Sequence, residues 1–419
     1  HDNWSGGNLP TAELIDQYVP DRPVFVTRYD GHMSVANSRV LKMAGITAST
    51  PDPPGGVIVR KPGTNEPAGV LKDAAQSLIY RIIPDPSDAE IKQFLEAAMA
   101  EARRVGVTSL QDMNFDARML RIYQELLHES KLTVRIDGRW PLARWRDLAD
   151  VGILRNFRSD NYLKIGGLKA YVDGSLGSST ALFFEPYTQD ASTSGIFVTD
   201  PFTLRKDILA ADSAGLHLAI HAIGDSANSF LLGVFAEAMA KNGPRDRRFR
   251  VEHAQHIHPK DFARFAELDV IACVQPYHAI DDGRWAEKRI GHERCKTTYP
   301  FRTFLDSGVK MCFGSDWTVA PLDPITGIDA AVTRRTLDGA NPDGWFPEQK
   351  ISVEEAIEAY TMTAAYAAFD DHLKGSITPG KLADLVVLSQ DILTIPANEI
   401  VNTEVVYTIV GGKVVFEKE

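Results

Sequence analysis

The chain has 419 residues, of which 44% are hydrophobic and 24% charged, and its formal net charge is −11. This composition is typical of a globular protein with a large core, and an acidic balance without a basic run argues against nucleic acid or an anionic membrane surface as a partner. No stretch reaches the roughly 18 apolar residues of a membrane span. We therefore expect a small-molecule partner, no nucleic acid and no membrane, and a homodimer remains open.

The first part of the chain, residues 1–86, is rich in Gly and Pro with short strand-like runs, and we interpret it as an inserted subdomain of low helical content. From residue 87 onward, short apolar runs alternate with amphipathic helices, which predicts parallel strands joined by helical crossovers. The predicted strands are 107–113, 132–140, 163–174, 216–225, 249–255, 269–276 and 309–317. The predicted helices are 88–104, 117–130, 203–214, 226–241, 260–268, 300–307 and 353–368.

This succession predicts an α/β fold, a (β/α)₈ TIM-like barrel over residues 87–370, with one βα unit unaccounted for. An open doubly wound sheet is the alternative. Residues 371–419 read as β-structure with a turn at Gly411 and Gly412, which predicts the carboxy-terminal part of a small β-sandwich.

Three cysteines, Cys273, Cys295 and Cys312, occur without any CxxC spacing, so neither a disulfide framework nor a cysteine zinc site is indicated. This cysteine usage indicates a reducing compartment, and we expect a cytoplasmic protein.

The chain begins at His1 rather than at Met, and no charged-then-apolar leader precedes this start. We expect the natural protein to have an upstream segment, so an exported form also stays open.

Four polar side chains stand at the ends of separate predicted strands: Lys169, His221, His253 and Asp316. Catalytic groups of such barrels lie at the carboxyl ends of the strands, where the βα loops open. Imidazole and carboxylate are ligands that a cation such as Zn²⁺ prefers. If only one strand ended in this way, its polar residue would be interpreted as a hydrogen-bonded structural group. In that case Lys169 would form a salt bridge with Asp173. Because four strands end in this way, we expect a divalent metal site, most simply zinc.

Further polar residues lie near the same strand ends. We expect loop or capping roles for His256 and His258, which follow the strand that ends at His253. Gln275 and Tyr277 either line the pocket and bind substrate or pack in the core. His32 lies in the predicted insertion, where it is either presented to substrate at the barrel mouth or exposed on the surface.

Several motifs carry a family resemblance. GGLKAYVDGSLGSSTA, HAIGD, VEHAQ, GSDW, AYTMTAAYA and GSITPGKLADLVVL, in this order, resemble the amidohydrolase superfamily, and within it the YtcJ-like branch (amidohydrolase family 3) that includes N-substituted formamide deformylase. The resemblance implies a barrel with a β-sandwich built from both chain ends and a site for one or two divalent ions. It implies His221, His253 and Asp316 as ligands, and Lys169 as a lysine that is carbamylated to bridge two ions.

One part of the family pattern is missing. Family members carry His-x-His at the end of the first barrel strand, and no such motif precedes VTSLQDM; the HIH at 256–258 lies downstream of VEHAQ. We therefore expect the first barrel strand to be absent from this sequence. An upstream segment would supply that strand and two histidines, and the numbered chain alone is not expected to be a self-sufficient active enzyme.

The expected reaction is hydrolysis of a C–N bond in an amide, formamide or cyclic amide by metal-activated water. Asp316 would accept the proton of the water, and His253, as a protonated imidazole, would polarise the carbonyl if one metal is bound. An ester or phosphoester hydrolase on the same scaffold and a metal-free pseudoenzyme or binding protein are the alternatives. The particular substrate is not readable from these residues.

Overall fold

A computed structural model describes residues 8–153 and 160–419, so residues 1–7 of the predicted insertion lie outside the described part. Its strands are β1 (Phe25–Thr27), β2 (Met33–Ala36), β3 (Gly56–Arg60), β4 (Pro67–Asp73), β5 (Ser109–Asp112), β6 (Arg135–Pro141), β7 (Leu163–Tyr171), β8 (Leu218–Ala222), β9 (Arg250–His253), β10 (Ile271–Val274), β11 (Met311–Phe313), β12 (Leu385–Leu388), β13 (Val405–Val410) and β14 (Lys413–Glu417).

The α-helices are α1 (Ala12–Asp16), α2 (Ser38–Met43), α3 (Ser77–Tyr80), α4 (Asp88–Arg104), α5 (Ala117–His128), α6 (Trp145–Val151), α7 (Pro201–Ser213), α8 (Asp225–Asn242), α9 (Asp261–Glu267), α10 (Pro276–Asp282), α11 (Ala286–Ile290), α12 (His292–Cys295), α13 (Phe301–Asp306), α14 (Pro324–Thr333), α15 (Val353–Tyr360) and α16 (Met362–Ala367). Helices α6, α10, α11, α12 and α14 lie where no helix is predicted from the sequence.

The central sheet is parallel and has seven strands in the order β11-β10-β9-β8-β7-β6-β5. Each strand pairs with the next one along the chain, whereas a doubly wound sheet reverses its strand order at a switch point. The two edge strands, β5 and β11, line one common cavity, so the sheet curls towards closure. The TIM-like α/β fold and the count of seven strands are confirmed. Within the described ranges, no further strand pairs with either edge.

Helix ends follow the predicted capping signals. Ser87 and Glu90 form a capping box at the start of α4, and Ser352 and Glu355 form another at the start of α15. The predicted helix over 353–368 is two helices rather than one, because Thr361 leaves helical geometry at φ −116° and ψ −82°. Its backbone N–H and its hydroxyl both donate to the Ile357 carbonyl.

The segment before α4 contains a separate antiparallel sheet in the order β1-β2-β4-β3. Its apolar face packs with the short helices around it, burying Ile58, Leu71 and Ile79 completely or nearly so. The helices of this segment have four to six residues each, which agrees with the expected low helical content. The boundary of the inserted subdomain at residue 86 stays a prediction.

At the other end, β12, β13 and β14 form a three-stranded antiparallel sheet, in which β13 and β14 are joined through Gly411 and Gly412. Both glycines have positive φ (58° and 77°), as a two-residue hairpin turn of this hand requires. No described strand from the amino-terminal segment joins this sheet, so a sandwich built from both chain ends stays a prediction. No helix in the described part is long and apolar enough to cross a membrane.

Candidate functional site

The parallel strands bring their carboxyl ends to one mouth of the barrel, and a cavity of about 1840 Å³ extends from there past β5 and β11 to the carboxy-terminal sheet. Lys169 on β7, His221 on β8 and His253 on β9 line this cavity, together with Asp316 in the loop after β11. All four residues predicted as ligands therefore face one space. Whether they hold a metal stays a prediction.

His221 is buried, and one of its two ring nitrogens is hydrogen-bonded. Its Nε2–H donates to the Gly174 carbonyl at 3.1 Å, which leaves Nδ1 with a free lone pair. Burial holds the pKa of His221 well below its ordinary value, so the ring is neutral. Asp173, the partner considered for Lys169, instead accepts backbone N–H bonds from Leu182, Ile223 and Gly224 and lies 3.5 Å from His221.

His253 ends β9 with a left-handed backbone, φ 77°, which turns its side chain into the cavity beside that of Glu252. Its Nδ1–H donates to Oε1 of Gln275 at 2.8 Å, and Nε2 is left free. Burial lowers the pKa of His253 to about 3. The lowered pKa favours the neutral ring, whereas the role expected from the sequence needs a protonated imidazole, and that role stays a prediction.

A residue that sequence reasoning missed joins the cluster. His278 lies in the first turns of α10, and its Nε2 is buried without a hydrogen-bond partner among the described residues. This atom is 3.8 Å from Oδ2 of Asp316. One ligand atom each of His253, His278 and Asp316 can be chosen so that all lie within 4.8 Å of one another. Two imidazoles and a carboxylate are a donor set that fits a divalent cation such as zinc.

Lys169 is buried at the base of this cluster, with Nζ 4.6 Å from the centroid of the Tyr171 ring. Burial lowers the pKa of Lys169, although the carboxylates of Glu252 and Asp316 act in the opposite direction. An amine of lowered pKa has a larger unprotonated fraction, which is the form that reacts with CO₂.

Below the cluster, buried charges tie the strands together. Arg250 pairs with Glu252 at 2.8 Å and donates to Oε1 of Gln111, which also accepts from Arg139. Arg139 in turn pairs with Asp137. Removing one partner of such a buried pair leaves the other charge buried and uncompensated. This network therefore fixes β5, β6 and β9 relative to one another.

The remaining predicted residues have different positions. Gln275 lines the cavity but orients His253, and Tyr277 is not among the residues that line the cavity. His258 is a half-buried loop residue whose Nδ1 accepts from the amide of Lys260. His256 is neither solvated nor a cap: it is buried, with Nδ1 bonded to the hydroxyl of Thr298 at 2.8 Å. That expectation was wrong because the loop after β9 turns inwards over the barrel.

His32 lies at the cavity mouth, presented by the antiparallel sheet of the amino-terminal segment. Its ring centroid is 5.3 Å from that of His221, and the rings of His221 and His253 are 4.5 Å apart. His32 therefore lies at the barrel mouth rather than on the outer surface, and its contact with substrate stays a prediction.

The fold resembles that of known hydrolases. An uncharacterized metal-dependent hydrolase from Pyrococcus horikoshii superposes with a TM-score of 0.73 at 28% identity, over 94% of this chain and 76% of that one. Together with the cluster at the strand ends, this likeness defines the class of the protein as a hydrolase with a TIM-like barrel.

The family is shown by sequence. The family model described as "Amidohydrolase family" matches residues 2–416, and the chain belongs to that family. The protein LONG AFTER FAR-RED 3 of Arabidopsis thaliana is 40% identical over 99% of this chain and 72% of its own length. Putative amidohydrolase YtcJ of Bacillus subtilis is 32% identical (100% and 79%), and N-substituted formamide deformylase of Arthrobacter pascens is 26% identical (98% and 76%). The YtcJ-like branch is thereby confirmed.

Proposed function

We propose that the chain is a metal-dependent hydrolase that cleaves the C–N bond of an amide, a formamide or a cyclic amide. The observation that carries the proposal is the convergence of His253, His278 and Asp316 at the cavity mouth of a chain that belongs to the amidohydrolase family. The name of the Arthrobacter pascens relative supports a C–N bond, and formamides in particular.

The residues that would hold the cation are His253, His278 and Asp316, and His221 and Lys169 are proposed as further ligands of the same site. His221 offers Nδ1 and His253 offers Nε2, because the other nitrogen of each ring is hydrogen-bonded to an oxygen. A divalent ion bound there, most simply one or two Zn²⁺, lowers the pKa of a coordinated water and polarises a carbonyl group.

Within this site Asp316 is the group that moves the proton. Its carboxylate is more than a third exposed to the cavity, so it can accept a proton from the attacking water and transfer it to the leaving nitrogen. Lys169 would carry CO₂ as a carbamate, which turns a buried amine into a carboxylate-like ligand and releases one proton.

Substrate contacts are proposed for His32, Gln275 and Tyr277. His32 and Gln275 line the cavity, although Gln275 reaches substrate only through the side of its amide that is not bonded to His253. Tyr277 does not line the cavity, so its proposed contact with substrate rests on its position directly before His278 in α10.

We propose that the protein is a cytoplasmic enzyme that acts on a small molecule. Cys273, Cys295 and Cys312 are all buried free thiols, which suits a reducing compartment. A homodimer remains part of the proposal and is tested by the mass of the protein in solution.

The test is a substrate panel read against metal content. The natural full-length protein, stripped with a chelator and reloaded with zinc, is assayed with 4-nitroformanilide, 4-nitrophenyl acetate and bis(4-nitrophenyl) phosphate. We expect zinc-dependent release of 4-nitroaniline from the anilide. Preference for the ester or phosphodiester would assign the alternative hydrolase classes, and absence of zinc binding and turnover would indicate a pseudoenzyme or binding protein.

A further inference from the structure

Tyr171 is the last residue of β7, and its side chain lines the cavity without a role in the site described above. Its Cα pairs with that of His221 on β8, and it lies two residues after Lys169, so the three side chains share one face of the sheet. The amide of Val172 donates to the His221 carbonyl at 2.9 Å, which fixes the strand at this point. The end of β7 therefore directs the phenol into the space that Lys169 and His221 also line.

The ring of Tyr171 lies beside two of the residues proposed as ligands. Its centroid is 4.6 Å from Nζ of Lys169 and 5.2 Å from the centroid of the His221 ring. The His221 ring is in turn 4.5 Å from that of His253, and His253 is 6.3 Å from His278. Tyr171 is thus the first of a row of rings that leads across β8 and β9 to the residues proposed to hold the cation.

The hydroxyl of Tyr171 has no hydrogen-bond partner in the described part of the chain, although its ring is half-buried. Other phenols of this protein are satisfied internally: Tyr187 donates to the Ala181 carbonyl at 2.8 Å, and Tyr299 donates to the Asp282 carboxylate at 2.6 Å. A half-buried phenol normally finds a partner for its O–H group. Because the Tyr171 side chain lines the cavity, its O–H can donate to a molecule bound there.

A phenol is a donor at neutral pH because its ordinary pKa is near 10. Burial raises the pKa of Tyr171 further, and the carboxylates of Asp316 and Glu252 act in the same direction. The ability to donate does not depend on this shift, since an unperturbed phenol also keeps its proton at neutral pH.

We propose that Tyr171 is a further catalytic residue, whose phenol O–H donates a hydrogen bond to the carbonyl oxygen of the bound substrate. This inference rests on the proposed function, because it assumes that water attacks a carbonyl group in this cavity. In that attack a C–O bond forms, and the electron pair of the carbonyl double bond moves onto its oxygen, where the phenol stabilises it without releasing a proton. The proton of the water goes to Asp316 and then to the leaving nitrogen as the C–N bond breaks.

A donor in this position stabilises the transition state more than the bound substrate. The carbonyl oxygen of an amide is uncharged before the attack and becomes negative during it, and a hydrogen bond to a charged acceptor is roughly twice as strong as one between neutral groups. Loss of the hydroxyl should therefore lower kcat rather than raise KM.

The test compares the zinc-loaded natural full-length protein with its Tyr171→Phe and Tyr366→Phe variants. Tyr171→Phe removes one oxygen atom and keeps the ring that lies beside Lys169 and His221. Tyr366→Phe is the matched control: its half-buried ring lies 3.9 Å from the guanidinium of Arg248, its hydroxyl has no partner among the described residues, and it does not line the cavity. The readouts are zinc content, melting temperature, and kcat and KM for 4-nitroformanilide.

We expect unchanged zinc content and unchanged melting temperature in both variants. Tyr171→Phe should lower kcat by about 10²–10³-fold, the range found for loss of one oxyanion donor, with KM within about threefold of wild type. Tyr366→Phe should match wild type in all four readouts.

An active wild-type enzyme whose Tyr171→Phe variant keeps kcat within about twofold would overturn this inference alone. A higher KM at unchanged kcat would also overturn it, by assigning the hydroxyl to substrate binding, and a loss of zinc would do so by assigning the hydroxyl to the metal site. An equal loss of kcat in Tyr366→Phe would show that the effect is not specific to the cavity. A wild-type protein that neither binds zinc nor hydrolyses the anilide would overturn the proposed function as well.

Discussion

Gln275 and His253 are joined by a 2.8 Å hydrogen bond across neighbouring strands, in which the amide oxygen of Gln275 accepts from Nδ1 of the imidazole. Gln275 is itself held by donation from its Nε2 to the Cys273 carbonyl. The contact therefore selects the tautomer of His253 in which Nε2 has a free lone pair, which is the form that binds a metal.

Replacing Gln275 by Leu should weaken zinc binding about 10–100-fold, because the tautomer and orientation of His253 are no longer fixed. Gln275→Glu is the control, since a carboxylate oxygen at the same place still accepts from Nδ1. Competition with a chromophoric chelator measures both affinities. Equal zinc affinity of the Leu variant and wild type would show that His253 does not depend on this contact.

Asp316→Asn should abolish turnover far more than it weakens substrate binding, because Asn has nearly the same shape but cannot accept the proton. The expected loss in kcat is about 10²–10⁴-fold. Zinc content is measured alongside, since loss of a ligand also depletes the metal. If a zinc-replete Asn variant keeps near-normal kcat, the base lies elsewhere.

Lys169→Ala should lower both zinc content and hydrolysis, because the buried amine is the proposed carbamate. In ¹³C-bicarbonate buffer, the wild-type protein should show a carbamate carbon resonance that the variant lacks. Lys310→Ala is the control, since Lys310 pairs with Asp269 on the surface. Retention of zinc and turnover by the Lys169 variant would contradict the assignment.

The free energy of unfolding should depend on pH in part because the ring of His256 is buried. Burial lowers its pKa from the ordinary 6.5 to about 3, so the folded state keeps the ring neutral while the unfolded chain binds a proton below pH 6.5. The contribution of His256 to the free energy of unfolding is present above pH 6.5. It is lost as the pH falls towards 3, and the free energy of unfolding decreases by about 1.4 kcal/mol per pH unit in this range.

His256→Asn should remove this part of the slope, and the exposed His372→Asn variant should leave it unchanged. Urea unfolding midpoints between about pH 4 and 7 measure the difference. Parallel pH profiles for wild type and the His256 variant would show that His256 is not held neutral in the fold.

Much of the barrel could be predicted because its strands are short apolar runs that end in turn residues, and the alternation with helices implies parallel pairing. The placement of His221, His253 and Asp316 in one cavity could be predicted for the same reason, since each ends or closely follows a strand, and their role as ligands stays a prediction. His278 was missed because it lies inside α10, beyond Pro276, where a strand-end rule does not apply. A histidine three residues after Gln275, within the first turns of a helix that begins at the cavity, was the available signal.

The contact between His32 and Asp73 could not be predicted from local sequence. His32 and Asp73 are 41 residues apart, and they meet only because β2 and β4 are neighbours in the amino-terminal sheet. The burial of His256 likewise depends on a loop that turns inwards, as its bond to Thr298 shows. Such long-range contacts are set by tertiary packing rather than by periodicity or capping signals.

The central claim is that a divalent ion lies among the histidines and the carboxylate at the strand ends. An anomalous difference map at the zinc edge, from crystals of zinc-loaded protein, tests it most directly. We predict a peak at roughly 2.0–2.2 Å from Nε2 of His253 and a carboxylate oxygen of Asp316. A zinc peak elsewhere in the chain, or no peak in the cavity of fully zinc-loaded protein, would contradict the account.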